Sequence, residues 1–372
     1  MNFETYPFEK LNTLLDPITP TEKYEPLSLT IGEPQFETPE FIQNTLKAST
    51  SLLNKYPKTS GETVLREGML TYWDKRFGLT LNNAQIIPTF GTREVLFNFP
   101  QFLLHDIESP VMAFPNPFYQ IYEGAAKASR AKVVYLNLEK ANNFQPNMHE
   151  EQLKRIDFVI LNTPNNPTSS VMLMETLKRW VELALKYNFV LLNDECYIDL
   201  YLDQPLPSLL NASVEVGNPE FKNILVINSI SKRSSAPGLR SGFIAGDAEI
   251  LKEYMTYRTY VGCASPLPLQ EAAAVAWADQ DHVNTFRAKY IRNFEIAQEI
   301  LGVEPPQATF YIWLEVGDEI AFTQKLYRDY NLKVIPGSFL GREAQGKGYV
   351  RLALVYEEAK TREALERIQQ AL

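Results

Sequence analysis

The stretch ILVINSISKRSSAPGLRSGF, residues 224–243, decides how the rest of the chain reads. Its first four residues are continuously apolar, the pattern of a short strand buried on both faces. That run delivers Ser229, Ser231 and Lys232 to a turn, and Pro237-Gly238 breaks the chain before Arg240. Hydroxyls, an amine and a guanidinium in so short a span suit a site that holds a phosphate and a carbonyl compound together. A lysine amine can form a Schiff base, while hydroxyls and a fixed guanidinium hold a phosphate dianion. Most lysines are solvated surface residues, so this reading needs partners elsewhere in the chain.

The same theme recurs upstream. VMAF (111–114) runs into PNPFYQIY, FVIL (158–161) into NTPNNPTS, and FVLL (189–192) into NDECYIDLY. Each is a short apolar run followed by polar, aromatic or turn residues, as expected for buried strands. Between the second and third, VMLMETLKRWVELALKY (171–187) has the length and pattern of a crossover helix. A βαβ unit and a mostly parallel sheet follow, and such sheets bind ligands beyond the carboxyl ends of their strands. The polar clusters are therefore expected to converge.

Two further stretches fit that site. In IIPTFGTREVLFNF a short apolar run leads to Gly91-Thr92-Arg93 and an immediate helix start, which offers amide donors to an anion. LSLTIGEP ends a short strand at Gly32, where backbone can approach a ligand closely. Tyr56 opens a polar loop, YPKTSG, ahead of a helical pattern through Leu65, Met69, Tyr72 and Trp73. The rival reading, a dinucleotide site, fails. Gly346-Lys347-Gly348 follows no strand, opens no helix and lacks the third glycine.

The chain has 372 residues, enough for a large domain and a smaller one. Residues 1–40 are proline-rich and expected to be an arm that also joins the small domain. Residues 41–265 are read as the large α/β domain, and residues 266–372 as a small α+β domain of helices and strand-like runs. A net charge of −9 without a basic block argues against nucleic acid. Cys196 and Cys263 make no disulfide framework. His105, His149 and His282 are far apart, so no metal site is expected. The N-terminus lacks a leader pattern and no stretch could span a bilayer, so the expected compartment is the cytoplasm.

Pyridoxal phosphate carries both groups that the opening stretch suits. Asp194, at the end of FVLLN, is a carboxylate that is costly to bury unless paired, and a protonated pyridine nitrogen is a suitable partner. Tyr197 could donate to the ring oxygen. Arg351, inside the strand-like run YVRLALVY, reads as a carboxylate clamp.

Together DECY (194–197), SISK (229–232), PGLRSG (237–242) and NTPNNPT (162–168) resemble the class I/II pyridoxal-phosphate aminotransferases, of aspartate aminotransferase fold, in the family's order. The resemblance implies the fold-type I architecture, a large domain with a mostly parallel sheet plus a smaller α+β domain. It implies that Lys232 is the Schiff-base lysine, Asp194 the pyridine partner, and Tyr197 with Asn166 the donors to the ring oxygen. Tyr119, or neighbouring Phe118, would stack on the ring. Thr92, Arg93, Ser229, Ser231 and Arg240 would hold the phosphate. Tyr56 would reach the other subunit's phosphate, which implies a homodimer with shared active sites. Arg351 would clamp the substrate α-carboxylate, with a backbone contact from Gly32, and Asn166 would also bind substrate.

IGEP (31–34), FGTREVLFNF (90–99), PNPFYQIYEGAA (115–126), SKRSSAPGLRSGF (231–243) and YRTYVGCA (257–264) are similar to the succinyldiaminopimelate aminotransferases of bacterial lysine biosynthesis. That likeness implies amino-group transfer between glutamate and N-succinyl-2-amino-6-oxopimelate. Ser169 stands where the family has glycine, and Val261 where it has histidine, near the expected distal end of the substrate. Aspartate, aromatic or acetylornithine-like substrates are the alternatives within the family. A lyase or a non-catalytic binding protein on the same fold are the alternatives outside it.

Overall fold

The computed structural model describes residues 3–147 and 150–372, so His149 lies outside the described residues. After β1 (Leu27–Ser28), seven strands build the central sheet. They are β2 (Ile86–Thr89), β3 (Val111–Asn116), β4 (Lys132–Asn137), β5 (Phe158–Asn162), β6 (Val190–Asp194), β7 (Ile224–Ser229) and β8 (Gly242–Gly246). Their order is β2-β8-β7-β6-β5-β3-β4, and only β8 runs against the others. This is the mostly parallel α/β sheet of the aspartate aminotransferase fold.

Period-two alternation explains why the central runs are apolar throughout. Val159, Leu161, Leu191 and Val226 face one layer of helices, Thr63–Phe77, Met174–Tyr187 and Leu267–Ala278. Phe158, Ile160, Leu192, Leu225 and Ile227 face the other, Thr92–Leu103, Ile121–Ala128 and Ala248–Val261. Every one of these strand side chains finds a core, each contributing about 1.5–3 kcal/mol through burial.

A second unit contains β9 (Tyr311–Glu315), β10 (Leu332–Lys333), β11 (Ile335–Pro336) and β12 (Tyr349–Ala353). β11, β12 and β9 form an antiparallel sheet, and β1 pairs in parallel with β10. Residues 333–341, KVIPGSFLG, are divided among β10, β11 and the turn Gly337–Phe339, and Pro336, which has no amide hydrogen, is the last residue of the β11 ladder. Leu27 and Leu29 share a core with Phe294, Leu352 and Ile368, so the beginning of the chain packs against its end. Within the proline-rich start, Pro7–Leu15 is a helix with Leu11 and Leu15 buried. Pro7 sits in its first turn, where the missing amide hydrogen costs nothing.

Two buried networks fix the turn around Lys232. Asp199 accepts from Tyr72 Oη at 3.0 Å, Arg76 Nε at 3.1 Å and Arg233 Nε at 3.0 Å. Arg233 also donates to the carbonyl of Ala276 at 2.7 Å and lies over the Tyr72 and Trp277 rings. His282 bridges Ser234 Oγ at 2.8 Å and Asp279 Oδ1 at 2.5 Å. That chain resembles a hydrolytic triad, but Ser234 is wholly buried, so it ties the turn to helix Asp281–Leu301 and meets no substrate. Burial, and then the charge of Arg233, push the His282 imidazole down from its ordinary pKa. Replacing Asp199 by Ala would strand two buried guanidinium groups. The expected cost is about 3–5 kcal/mol, read as a lower urea midpoint; an unchanged midpoint would show that the network is not needed for stability.

Candidate active site

The carboxyl ends of β5, β6 and β7 carry Asn162, Asp194 and Ser229. Asn162 and Asp194 are direct neighbours in register, and Asn162 Nδ2 donates to the Asp194 carbonyl at 2.9 Å. Above them lies a cavity of about 820 Å³. Thr92, Arg93, Tyr119, Asn166, Tyr197, Ser231, Lys232, Arg240, Gly32 and Arg351 line it together with Asp194 and Ser229. Residues scattered over most of the chain meet there, as the strand ends led one to expect. Tyr56 does not line it and is fully exposed.

Lys232 sits in the single helical turn Ile230–Arg233 directly after β7. Its Nζ donates to the Gly32 carbonyl. Burial brings the ammonium pKa down to about 8, helped by the positive charges of Arg351 and Arg240 and opposed by Cys196 and Glu33. A substantial neutral fraction near pH 8 makes this amine a competent nucleophile and base.

Asp194 is 4% exposed. Tyr122 Oη donates to its Oδ2 at 2.8 Å and the Cys196 amide to its Oδ1 at 3.2 Å. Burial pushes the carboxyl pKa up, and these donors pull against it. Both are neutral, so the carboxylate is held ready for a cation. Tyr197 Oη lies 3.0 Å from Tyr311 Oη.

Arg351 is buried between Asn166, whose Oδ1 accepts from NH1 at 2.7 Å, and the Thr30 carbonyl, which accepts from NH2. Its guanidinium stacks 4.4 Å from the Tyr311 ring centre, and its Nε has no partner among the described residues. An unsatisfied buried donor on a fixed cation is costly unless an anion arrives.

At the opposite wall, Gly91 enters helix Thr92–Leu103 at φ 77°. A Cβ there would come within 2.6 Å of the Arg240 guanidinium, and the left-handed backbone disfavours any side chain. The helix start, Thr92, Ser229, Ser231 and Arg240 thus form a cradle that only glycine leaves open. Cys196 Sγ lies beneath it, 3.3 Å from Thr92 Oγ1.

The aminotransferase class I and II family model matches residues 24–368. The chain belongs to the class I and II aminotransferases. The fold agrees with that of solved relatives. The aminotransferase AspB from Helicobacter pylori is 48% identical, with a TM-score of 0.97, over 100% of this chain and 99% of that one. An aminotransferase from Neisseria meningitidis is 40% identical, with a TM-score of 0.93, covering 99% of this chain and 97% of that one. An LL-diaminopimelate aminotransferase from Dehalococcoides mccartyi is 29% identical over 92% of this chain and 90% of its own length.

Aminotransferases of this family depend on pyridoxal 5'-phosphate, and the residues present fit it. A buried carboxylate without a cationic hydrogen-bond donor, an amine with lowered pKa and a glycine-lined anion cradle match its ring nitrogen, aldehyde and phosphate. The structure also separates residues that the sequence left unresolved. Tyr119 lines the cavity, whereas Phe118 is packed among Phe114 and Tyr135 in the core. The Arg93 guanidinium is bonded to Tyr119 Oη. Val261 ends helix Ala248–Val261, partly exposed, and does not line this cavity. Ser169 adopts φ 61°, a left-handed conformation that glycine takes most readily, and its hydroxyl bonds Thr309 Oγ1 at 2.6 Å and the Tyr311 carbonyl at 2.9 Å.

Tyr122 and Tyr311 carry no distinguishing signal in the sequence. Tyr122 lies in the first turn of helix Ile121–Ala128, and its amide donates to the carbonyl of Tyr119, just before that helix, at 3.0 Å. Tyr311 reads as an ordinary strand aromatic until β9 brings it under Arg351.

Replacing Tyr122 by Phe is expected to weaken retention of pyridoxal 5'-phosphate about tenfold to hundredfold, the loss of one hydrogen bond to a charged group. Absorbance titration of the apo-protein measures this, and an affinity within about twofold of the parent would remove Tyr122 from that role. The pH dependence follows from Lys232. Its folded pKa is lowered to about 8, so the reactive neutral amine accumulates as pH rises through that value. The rate of cofactor uptake should climb between about pH 6 and pH 9 and then level; a flat stopped-flow profile would contradict it.

Proposed function

We propose that this aminotransferase moves an amino group between glutamate and N-succinyl-2-amino-6-oxopimelate. The observation that carries the reading is the cavity itself, which has a fixed cation with an unpaired donor at Arg351 and a volume of about 820 Å³. That volume lies in the upper part of the range of about 300–1,000 Å³ that holds drug-sized ligands. A cofactor and a long acylated amino acid can share it. The stretches similar to succinyldiaminopimelate aminotransferases, and relatives named for diaminopimelate, support the substrate.

Pyridoxal 5'-phosphate, when bound, supplies an aldehyde for the amino group and a ring that accepts the electrons released at the substrate α-carbon. The chain's residues do the rest. Lys232 Nζ would hold the cofactor's aldehyde carbon and would move a proton between the substrate α-carbon and that carbon. Asp194 would pair with the protonated ring nitrogen. Tyr197 would donate to the ring oxygen, and so would Asn166 through Nδ2, because its Oδ1 is engaged by Arg351. Tyr119 would stack on the ring. Thr92, Ser229, Ser231, Arg240 and the helix amides hold the phosphate. Arg351 takes the α-carboxylate beside the Gly32 backbone. Tyr56, exposed on its own chain, completes the phosphate site of a second copy in a homodimer. No helix among the described residues is long and apolar enough to cross a membrane.

Separate additions of L-glutamate and N-succinyl-LL-diaminopimelate to the holoenzyme test this. Both should bleach the visible absorbance of the bound cofactor, with 2-oxoglutarate and the oxo-acid appearing. Bleaching by glutamate without the second reaction would leave an aminotransferase for another acceptor, with aspartate and aromatic amino acids as the next additions. Release of ammonia or pyruvate would place the chemistry with the lyases.

A further inference from the structure

We propose that Tyr311 is a positioning residue serving two parts of the site at once. Its ring seats the Arg351 guanidinium, and its hydroxyl donates to Tyr197 Oη, strengthening the hydrogen bond that Tyr197 gives to the cofactor ring oxygen. The inference rests on the aminotransferase reading and assigns a residue to which that reading gives no part.

Arg351 is the register partner of Trp313, so Tyr311, two residues earlier in β9, is its diagonal neighbour on the same face of the sheet. The guanidinium lies 4.4 Å from the Tyr311 ring centre, and the Tyr311 hydroxyl lies 3.0 Å from Tyr197 Oη. Tyr197 has one proton to give. With that proton spent on the ring oxygen, Tyr197 Oη can only accept from its neighbour, so Tyr311 is the donor of the pair. A phenol that accepts one hydrogen bond gives a stronger one, because the two polarise each other in a buried setting. The Tyr311 hydroxyl therefore acts on the ring oxygen through Tyr197.

The surroundings hold Tyr311 for this task. Its amide donates to Thr309 Oγ1 at 2.9 Å, and its carbonyl accepts from Ser169 Oγ at 2.9 Å. Ser169, where the resemblance leads one to expect glycine, thus secures the tyrosine's backbone. A Cβ at Gly32 would occupy the place of Tyr311 Oη, so the missing side chain there leaves the hydroxyl its position. Both tyrosines are buried and border the cavity. The other ionisable groups about the pair do not titrate near neutral pH in the holoenzyme. Burial holds the Cys196 thiol and the Tyr197 and Tyr290 hydroxyls above their ordinary pKa values. A guanidinium such as that of Arg351 stays charged, and the cofactor engages Asp194 and Lys232.

The test uses holoenzyme and reads the pH midpoint of its visible absorbance, a property of the bound cofactor rather than of turnover. A donor to the ring oxygen favours the form in which that oxygen is most negative, which is the deprotonated form of the chromophore. Tyr311→Phe should therefore raise the midpoint by about 0.3–1 pH unit, the loss of one neutral hydrogen bond. In a Tyr197→Phe background the same change should add no further shift. An unchanged midpoint, or an equal shift in both backgrounds, would overturn the role of the hydroxyl. The ring is tested by affinity for 2-methyl-L-glutamate, a substrate analogue with no α-proton to lose. Tyr311→Phe should bind it within about twofold of the parent, and Tyr311→Leu about tenfold more weakly; equal affinities in the two variants would overturn the role of the ring. The Phe variant loses a single oxygen, so the first test stands whether or not the Leu variant folds. A parent protein that takes up no cofactor would sink the function reading and this inference with it, a result distinct from a coloured parent whose midpoint ignores Tyr311.

Discussion

Asp194 is held at the carboxyl end of β6, where a negative charge is costly, and much of the surrounding structure answers that cost. The parallel sheet places it in register with Asn162, whose amide fixes its backbone. Helix Ile121–Ala128 brings Tyr122 to one carboxylate oxygen, and the turn after β6 brings the Cys196 amide to the other. Neutral donors reduce the penalty of burial without cancelling it. A protonated ring nitrogen would cancel it, and the same ionised carboxylate would keep that ring electron-withdrawing. Fold stability and chemistry are thus coupled through one residue.

Lys232 faces the complementary constraint. Its amine must lose a proton easily, yet it must be aimed, and the fold achieves both by burying it on a rigid turn. Arg233, the next residue, is locked to Asp199 and to the carbonyl of Ala276, while Ser234 is tied to His282. Ser235 Oγ donates to the Phe36 carbonyl and Thr38 Oγ1 to the Ser235 carbonyl, both at 2.6 Å. The N-terminal segment that supplies Gly32 is therefore fastened to the turn that supplies Lys232. Gly32 could be no other residue in this arrangement, because a Cβ there would collide with Tyr311 Oη.

The central sheet was legible because its strands are buried on both faces, and a continuous apolar run that ends in a polar cluster is the direct signature of that burial. β4 and β8 were harder. β4 is an edge strand with partly exposed residues, and β8 begins and ends in glycine. The first helix was obscured by the prolines around it. Among the site residues, those with unusual chemistry for their setting, such as Asp194, Lys232 and Arg351, stood out in the sequence. Tyr122 and Tyr311 did not, since a tyrosine in a helix or strand looks like core until tertiary packing aims its hydroxyl. The side-chain direction of Arg93 was likewise invisible; the family resemblance implied a phosphate contact, and in the fold its guanidinium also donates to Tyr119 Oη. Ser169 is a departure that the structure explains, because its hydroxyl bonds offset a left-handed backbone that costs about 1–2 kcal/mol.

The central claim is that Asp194 keeps the cofactor ring protonated. Nitrogen-15 NMR of ring-labelled pyridoxal 5'-phosphate bound to the protein tests it most directly. The account expects a protonated pyridine nitrogen at neutral pH that becomes unprotonated in Asp194→Ala. A ring nitrogen already unprotonated in the parent protein would contradict it.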